Sequence, residues 1–308
     1  MASSVDAAVP RFAPRGDSTT AGDGAPVPAV RSSQVADPPL VTIEPGTRAR
    51  APSARELWAH RELLYYLTVR DLKVRYKQTA FGVAWTVALP LLTALVFTVF
   101  IGRVARVPSG RLPYTLFAYA GLLPWSFFSA SVGGAASSVV GSAHLITKVY
   151  FPRSIVPAAS IAARLVDFGI SFVVLAGMMA WYRVAPSWNL LLLPPLVVLV
   201  TATSLAYGLW VAGTNVRYRD IGVIVPVALQ LWMFVSPVMY PMEMVPARWR
   251  MLYYINPMAG IIDAFRTTVA GGPFNWVALG YSIAITVLLL AYAVRAFART
   301  ERTFADLI

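Results

Sequence analysis

SAHLITKVYFPRS, residues 142–154, stands between two apolar stretches, 112–140 and 155–182, each long enough to cross a bilayer. The stretch itself is basic and aromatic, a compact helix signal enclosed by membrane-length segments. A piece so placed is a handle, because the flanking spans can be moved together through it. The rest of the chain agrees with a membrane setting. It is 57% hydrophobic and 13% charged, whereas a soluble domain carries about 25% charged residues. The formal charge of +12 then reads as the basic bias of cytoplasmic loops and not as a nucleic-acid surface.

Several chemistries are excluded early. There are no cysteines, which removes disulfides, thiolate metal sites and thiol nucleophiles. His60 and His144 are the two histidines, too few for a multi-His metal site. No GxxxxGK[ST] loop, Asp-x-Asp pair or Gly-x-Ser-x-Gly elbow occurs, so neither nucleotide cradling nor serine hydrolysis has its motif. An enzymatic reading would have to rest on Asp167, Asp263, Glu243 and His144.

Outward from the handle, six spans are expected, at 79–102, 112–140 (interrupted by Pro124), 155–182, 189–214, 221–240 and 276–297. Each offers about 20 apolar residues for a core about 30 Å thick. Residues 1–50 are rich in Pro, Ala, Ser and Asp, carry equal numbers of Arg and acids, and predict a disordered tail. They contain no continuous apolar run of the signal-peptide kind. Residues 51–78 predict an amphipathic helix, with Ser53 as N-cap and Glu56 completing a capping box. Leu57, Trp58, Leu64, Tyr65, Leu72 and Tyr76 fall on one side of it and Arg70, Lys73 and Lys77 largely opposite, while Arg61 and Arg75 intrude. That pattern suits a headgroup-level helix or an ordinary solvated one. Residues 241–275 are too polar to cross alone and too apolar for a free loop; broken at Pro257, they predict two short re-entrant helices in the outer leaflet, or a flap on its surface.

With the amino terminus inside, thirteen basic residues fall on the cytoplasmic side and seven outside, an asymmetry that favours both termini cytoplasmic. Within the third span Arg164 and Asp167 lie three apart, positioned to pair, and intramembrane charge is costly without a partner or water. Phe97, Phe100, Tyr119, Trp125, Phe127, Phe128, Trp232, Phe234 and Tyr240 load the outer halves of the first, second and fifth spans. They read as interfacial belts or as a stacking track for sugar rings.

The motifs also resemble a known family. HLITKVYFPR (144–153) is similar to the NLITKVYFPR of ABC-2 type permeases that export polysaccharides of the O-antigen and teichoic acid class, with His144 in place of Asn. WTVALPL (85–91), NVRYRDI (215–221), SPVMYP (236–241) and NPM (256–258) follow in the family's order. The resemblance covers residues 55–308. It implies an all-α membrane protein: a six-helix domain over 79–308, an amphipathic interface helix at 51–78, a coupling helix at 143–153 and outer re-entrant helices at 241–275. It implies that the coupling helix, through His144, Leu145, Lys148, Tyr150, Phe151 and Arg153, docks into a separate nucleotide-binding ATPase subunit. Tyr150 and Phe151 would be the apolar plug, and Lys148 and Arg153 would meet acidic partner residues. Arg70, Asp71, Lys73, Arg75 and Tyr76 would flank the same partner. ATP and Mg²⁺ would be bound by that partner, leaving no cofactor and no metal in this chain. Two permeases would form the channel in the plasma membrane, the aromatics lining it, for a lipid-linked polysaccharide with a polyprenyl-diphosphate head. Arg103, Arg106 and Arg111 could meet that phosphate or simply lipid headgroups. The scarcity of lysine, three of 26 basic residues, would suit an actinobacterial galactan exporter. An ABC-2 exporter of lipids or drugs, or a membrane-bound glycosyltransferase or acyltransferase, is the alternative.

Overall fold

A computed structural model describes residues 54–77, 83–110, 112–146, 148–149 and 151–301, and every regular element among them is helical. The tail at 1–50, Ser53 with its cap, Thr147 and Tyr150 lie outside the described residues. The chain opens with α1 (Ala54–Ala59) and α2 (Arg61–Lys77). The expected single helix is offset at His60, where the ring Nδ1 lies 2.8 Å from the Glu56 carbonyl.

Five helices among the described residues are long and apolar enough to cross a membrane. The first joins α3 (Val83–Phe97) to a π-helical segment, Thr98–Val104. The others are α4 (Tyr114–Gly141), α6 (Ile155–Trp181), α7 (Leu193–Arg217, led in by a 3₁₀ turn) and α11 (Trp276–Thr300). A one-turn α5 (Ala143–Ile146) joins α4 to α6. The remaining expected span is shorter than its sequence: α8 covers Ile221–Val235, about 22 Å at 1.5 Å per residue, and Ser236 turns the backbone extended. After it come α9 (Ala247–Tyr254) and α10 (Pro257–Ala270).

The bundle is organised around α4. In that helix 78% of the apolar stretch is buried, against 6% for Ala84–Val104, so α4 is the axis and α3 hangs on the outside. Pro124 does not interrupt α4 as the sequence predicts. A proline is tolerated in a membrane helix when neighbouring helices enclose the freed backbone groups, and Pro124 is itself buried. Close helix approach is written in small residues. A Cβ on Gly208 of α7 would stand 2.9 Å from the Ala135 methyl of α4 and 3.0 Å from Ile161 of α6. Polar links cross the same seams: Asn215 donates to the Ala136 carbonyl at 2.8 Å and accepts from the Gly222 amide at 2.9 Å, and the Thr203 and Thr286 hydroxyls meet at 2.8 Å.

Contacts sort the bundle into two ends. At one, Leu67, Val139, Ile146, Phe151, Val216 and Phe297 form a single apolar cluster. At the other, α10 sits inside the bundle, with Met258, Ile261 and Ile262 fully buried, while α9 leaves Trp249, Met251 and Leu252 exposed. The cap of α10 explains the Asn-Pro pair: Asn256 accepts from the Met258 amide at 3.0 Å and donates to Ser236 at 2.8 Å, and Pro257 occupies the first turn, where no amide is needed. Gly271 closes the helix at φ +70°, a left-handed position that costs other residues about 1–2 kcal/mol. Gly260 is pressed against α11, its missing Cβ only 2.4 Å from the Ala278 carbonyl oxygen and the Ser282 hydroxyl. Gly260→Val is therefore expected to push α10 off α11 and destabilise the protein by about 1–3 kcal/mol, read as a lower melting temperature in detergent.

Candidate functional site

Three groups of side chains stand out, and the first is a charged cluster linking α2 to α6. Asp167 accepts hydrogen bonds from Arg75 and from the Tyr76 hydroxyl, and Arg164 lies 3.9 Å away on its own helix. The expected Arg164–Asp167 pair is thus the weaker part of a larger arrangement. Arg75 and Tyr76, expected to face a partner, are turned instead toward this bundle. Burial and the bond to Asp167 raise the Tyr76 phenol above its usual range. The cluster forms one end of a 410 Å³ cavity, whose other walls come from α3 and α4.

The amphipathic stripe expected along α2 is rotated from its predicted direction. Leu67 is buried and Leu63 and Leu64 pack beside it, while Trp58, Tyr65 and Tyr66 are 66–70% exposed. Arg70 pairs with neighbouring Asp71 at 2.9 Å and reaches Ser142 at 3.4 Å, tying α2 to the start of the handle. Lys73 is exposed.

The handle itself is less helical than expected. Among its described residues, regular helix covers Ala143–Ile146; His144, Lys148 and Val149 are exposed and Leu145 is half-buried. Phe151 corrects the expectation of a projecting plug. It is 5% exposed and packs with Ile146, Ile155 and Phe297, because burying its ring inside this chain closes the apolar cluster under the handle. Arg153 is likewise engaged internally: its amide donates to the Glu301 carboxylate at 2.7 Å and its guanidinium to the Glu301 carbonyl at 2.6 Å. Burial raises the Glu301 carboxyl, opposed by Arg153.

The aromatic residues divide in two. Tyr119, Trp125 and Phe128 are buried to 3% exposure or less and are core, not lining, in this chain. Phe128, Tyr207 and Trp232 meet edge to face at centroid distances of 5.0–5.5 Å, and Trp125 adds a fourth ring 6.1 Å from Trp232. Phe100 and Phe234 are 61% and 56% exposed. Phe97 and Tyr240 are half-buried, the latter bonded to Tyr253.

The sequence also missed Arg266, counted there among outer-loop cations. It is 5% exposed, and its guanidinium donates to the carbonyls of Phe117, Pro237, Val238 and Tyr240 at 2.5–3.3 Å. Its Cζ lies 3.8 Å from the centre of the Phe117 ring. One side chain thus satisfies three carbonyls left open where α8 stops and ties them to α4 through Phe117. The sequence signal was the pair SPVMYP and an Arg nine residues after Pro257, within an otherwise mostly apolar helix, each uninformative without the other.

A family described as ABC-2 type transporter matches residues 62–270. The chain is 35% identical over 215 residues to the O-antigen export system permease protein RfbA of Myxococcus xanthus, covering 69% of this chain and 82% of that one. It is 28% identical over 250 residues to the protein of the same name from Klebsiella pneumoniae, covering 80% and 95%. The polysialic acid transport protein KpsM of Escherichia coli is 20% identical over 233 residues, covering 73% and 88%.

Proposed function

The chain belongs to the ABC-2 type transporter family, and from that premise we propose that it is the membrane subunit of an ATP-driven exporter of lipid-linked polysaccharide. The observation that carries the substrate class is the likeness to O-antigen export permeases over most of both chains. Two copies would pair so that the exposed apolar faces of α3 and α8, with Phe100 and Phe234, border a path between them. α8 together with residues 236–240 would complete a sixth span, and α9 and α10 would form the outer re-entrant pair. ATP and Mg²⁺ belong to a separate subunit.

Force would enter at the end that holds residues 142–154. Exposed His144, Lys148 and Val149 support this, together with half-buried Leu145. This is also the end that the basic asymmetry assigns to the cytoplasm. Phe151 and Arg153 act there as the internal anchor: the cluster under Phe151 and the Arg153–Glu301 bonds would pass a push on the handle to α6 and α11 together. Lys148→Glu and Tyr150→Ala are each expected to weaken co-purification with the ATPase subunit about tenfold, since an interfacial anchor contributes upward of about 1 kcal/mol. Undiminished co-purification and ATPase stimulation in both variants would remove the handle from the interface.

A further inference from the structure

We propose that the cavity between α2, α3, α4 and α6 binds an anionic amphiphile, its phosphate seated on Arg75 and Arg164 and its hydrocarbon lying along Leu89, Leu123 and Phe127. The inference goes beyond the export reading and needs only that the chain resides in a membrane. Among the described residues lining it, the polar end holds two guanidinium groups, Arg75 and Arg164, and one carboxylate, Asp167, so the lining carries more positive than negative charge. Charge at this depth calls for a counter-ion. Arg164 Nε is buried without a hydrogen-bond partner, and a guanidinium fork is the side chain best matched to phosphate oxygens.

The rest of the cavity has the form of a tail slot. Its α6 wall runs from Arg164 to Ser171, seven residues or about 10 Å along the helix, so the space extends along the bundle, away from the charges. Beyond the charged end the walls are mainly aliphatic and aromatic. The outer lip is α3, where Trp85 and Leu89 are 49% and 57% exposed and few side chains are buried. A lipid could therefore enter sideways from the bilayer. The ligand could come from two sources sharing this chemistry: an anionic phospholipid or a polyprenyl phosphate.

The test is native mass spectrometry of the purified full-length chain after incubation with phosphatidylglycerol, undecaprenyl phosphate or phosphatidylcholine. At least one anionic lipid is expected to be retained about tenfold more strongly than phosphatidylcholine, the size of one charge-assisted hydrogen-bond contact. Arg164→Gln should abolish that preference and Arg164→Lys should keep part of it. Ser126→Phe fills the apolar arm without touching the ion cluster, so it should also lower retention while leaving the melting temperature near that of the parent. Retention of undecaprenyl phosphate above phosphatidylglycerol assigns the site to the lipid carrier, and equal retention assigns it to bilayer lipid; both support the site. Equal retention of all three lipids by the parent chain, or undiminished preference in both Arg164→Gln and Ser126→Phe, would overturn it. Export activity does not enter the readout, so failure of the transport reading is separable.

Discussion

Arg266→Met is expected to prevent the protein from reaching a stable fold, giving aggregated or degraded material where the parent elutes as a single species in detergent. The substitution keeps volume and removes the donors that serve four carbonyls, those of Phe117, Pro237, Val238 and Tyr240. The Phe117 carbonyl keeps its helical partner within α4. Those of Pro237, Val238 and Tyr240 lie beyond α8, and each, stranded in a buried site, costs about 1–3 kcal/mol. The total is about 3 kcal/mol or more, toward the far end of what single substitutions do. No water is at hand to replace the donors if this region lies at membrane depth. Arg266→Lys should recover only part of the loss, since an ammonium is a point donor and cannot fork among carbonyls from α4 and from the unwound end of α8. Gly121 gives an independent check. A Cβ there would fall 2.5 Å from the Arg266 guanidinium, so Gly121→Leu should reproduce much of the defect. A monodisperse Arg266→Met protein with the parent's melting temperature would refute the role assigned to this side chain.

Asp167→Asn is the second large effect. The carboxylate is the common partner of Arg75, Tyr76 and Arg164, and neutralising it leaves two guanidinium groups facing one another in a partly buried site. Removing one partner of such an ionic group costs about 3–5 kcal/mol. Detachment of α2 from α6 is the expected consequence, seen as increased proteolysis after Arg70 or Lys73. The diagnostic experiment adds a second change. Asp167→Asn combined with Arg75→Gln removes one of the stranded cations and should be more stable than Asp167→Asn alone, a positive coupling in a double-mutant cycle. Additive losses would mean that the two residues do not share the interaction.

The spans were legible because hydropathy over 20 or more residues is a collective signal: α4, α6 and α11 begin and end within three residues of their expected bounds. The end of α8 was misplaced: Pro237 pushes Ser236 out of the helical region, as its extended backbone shows, and the expected span ran on to Tyr240, a segment held instead by Asn256 and Arg266. Long-range pairs were invisible for the same reason. Nothing local to Arg75 says that its partner lies 92 residues away, and its place in a basic helix pointed to a docking surface. Phe151 misled in the opposite sense: an aromatic in a polar loop reads as an anchor for another protein, but here the hole it fills belongs to α5, α6 and α11. The aromatics of α4 were legible as a group and not as individuals. Every ring on a membrane helix satisfies the belt pattern, and only packing separates buried Phe128 from exposed Phe100.

The chain's freedom from cysteine allows the central claim, that force from a separate ATPase enters at residues 142–154, to be tested with one introduced thiol. Val149 is 51% exposed, and Val149→Cys should react with a membrane-impermeant maleimide only from the cytoplasmic side. With a short bifunctional reagent it should form a cross-link to the ATPase subunit in native membranes. Labelling of that thiol from the external side of intact cells, or a cross-link that never includes the ATPase, would contradict the account.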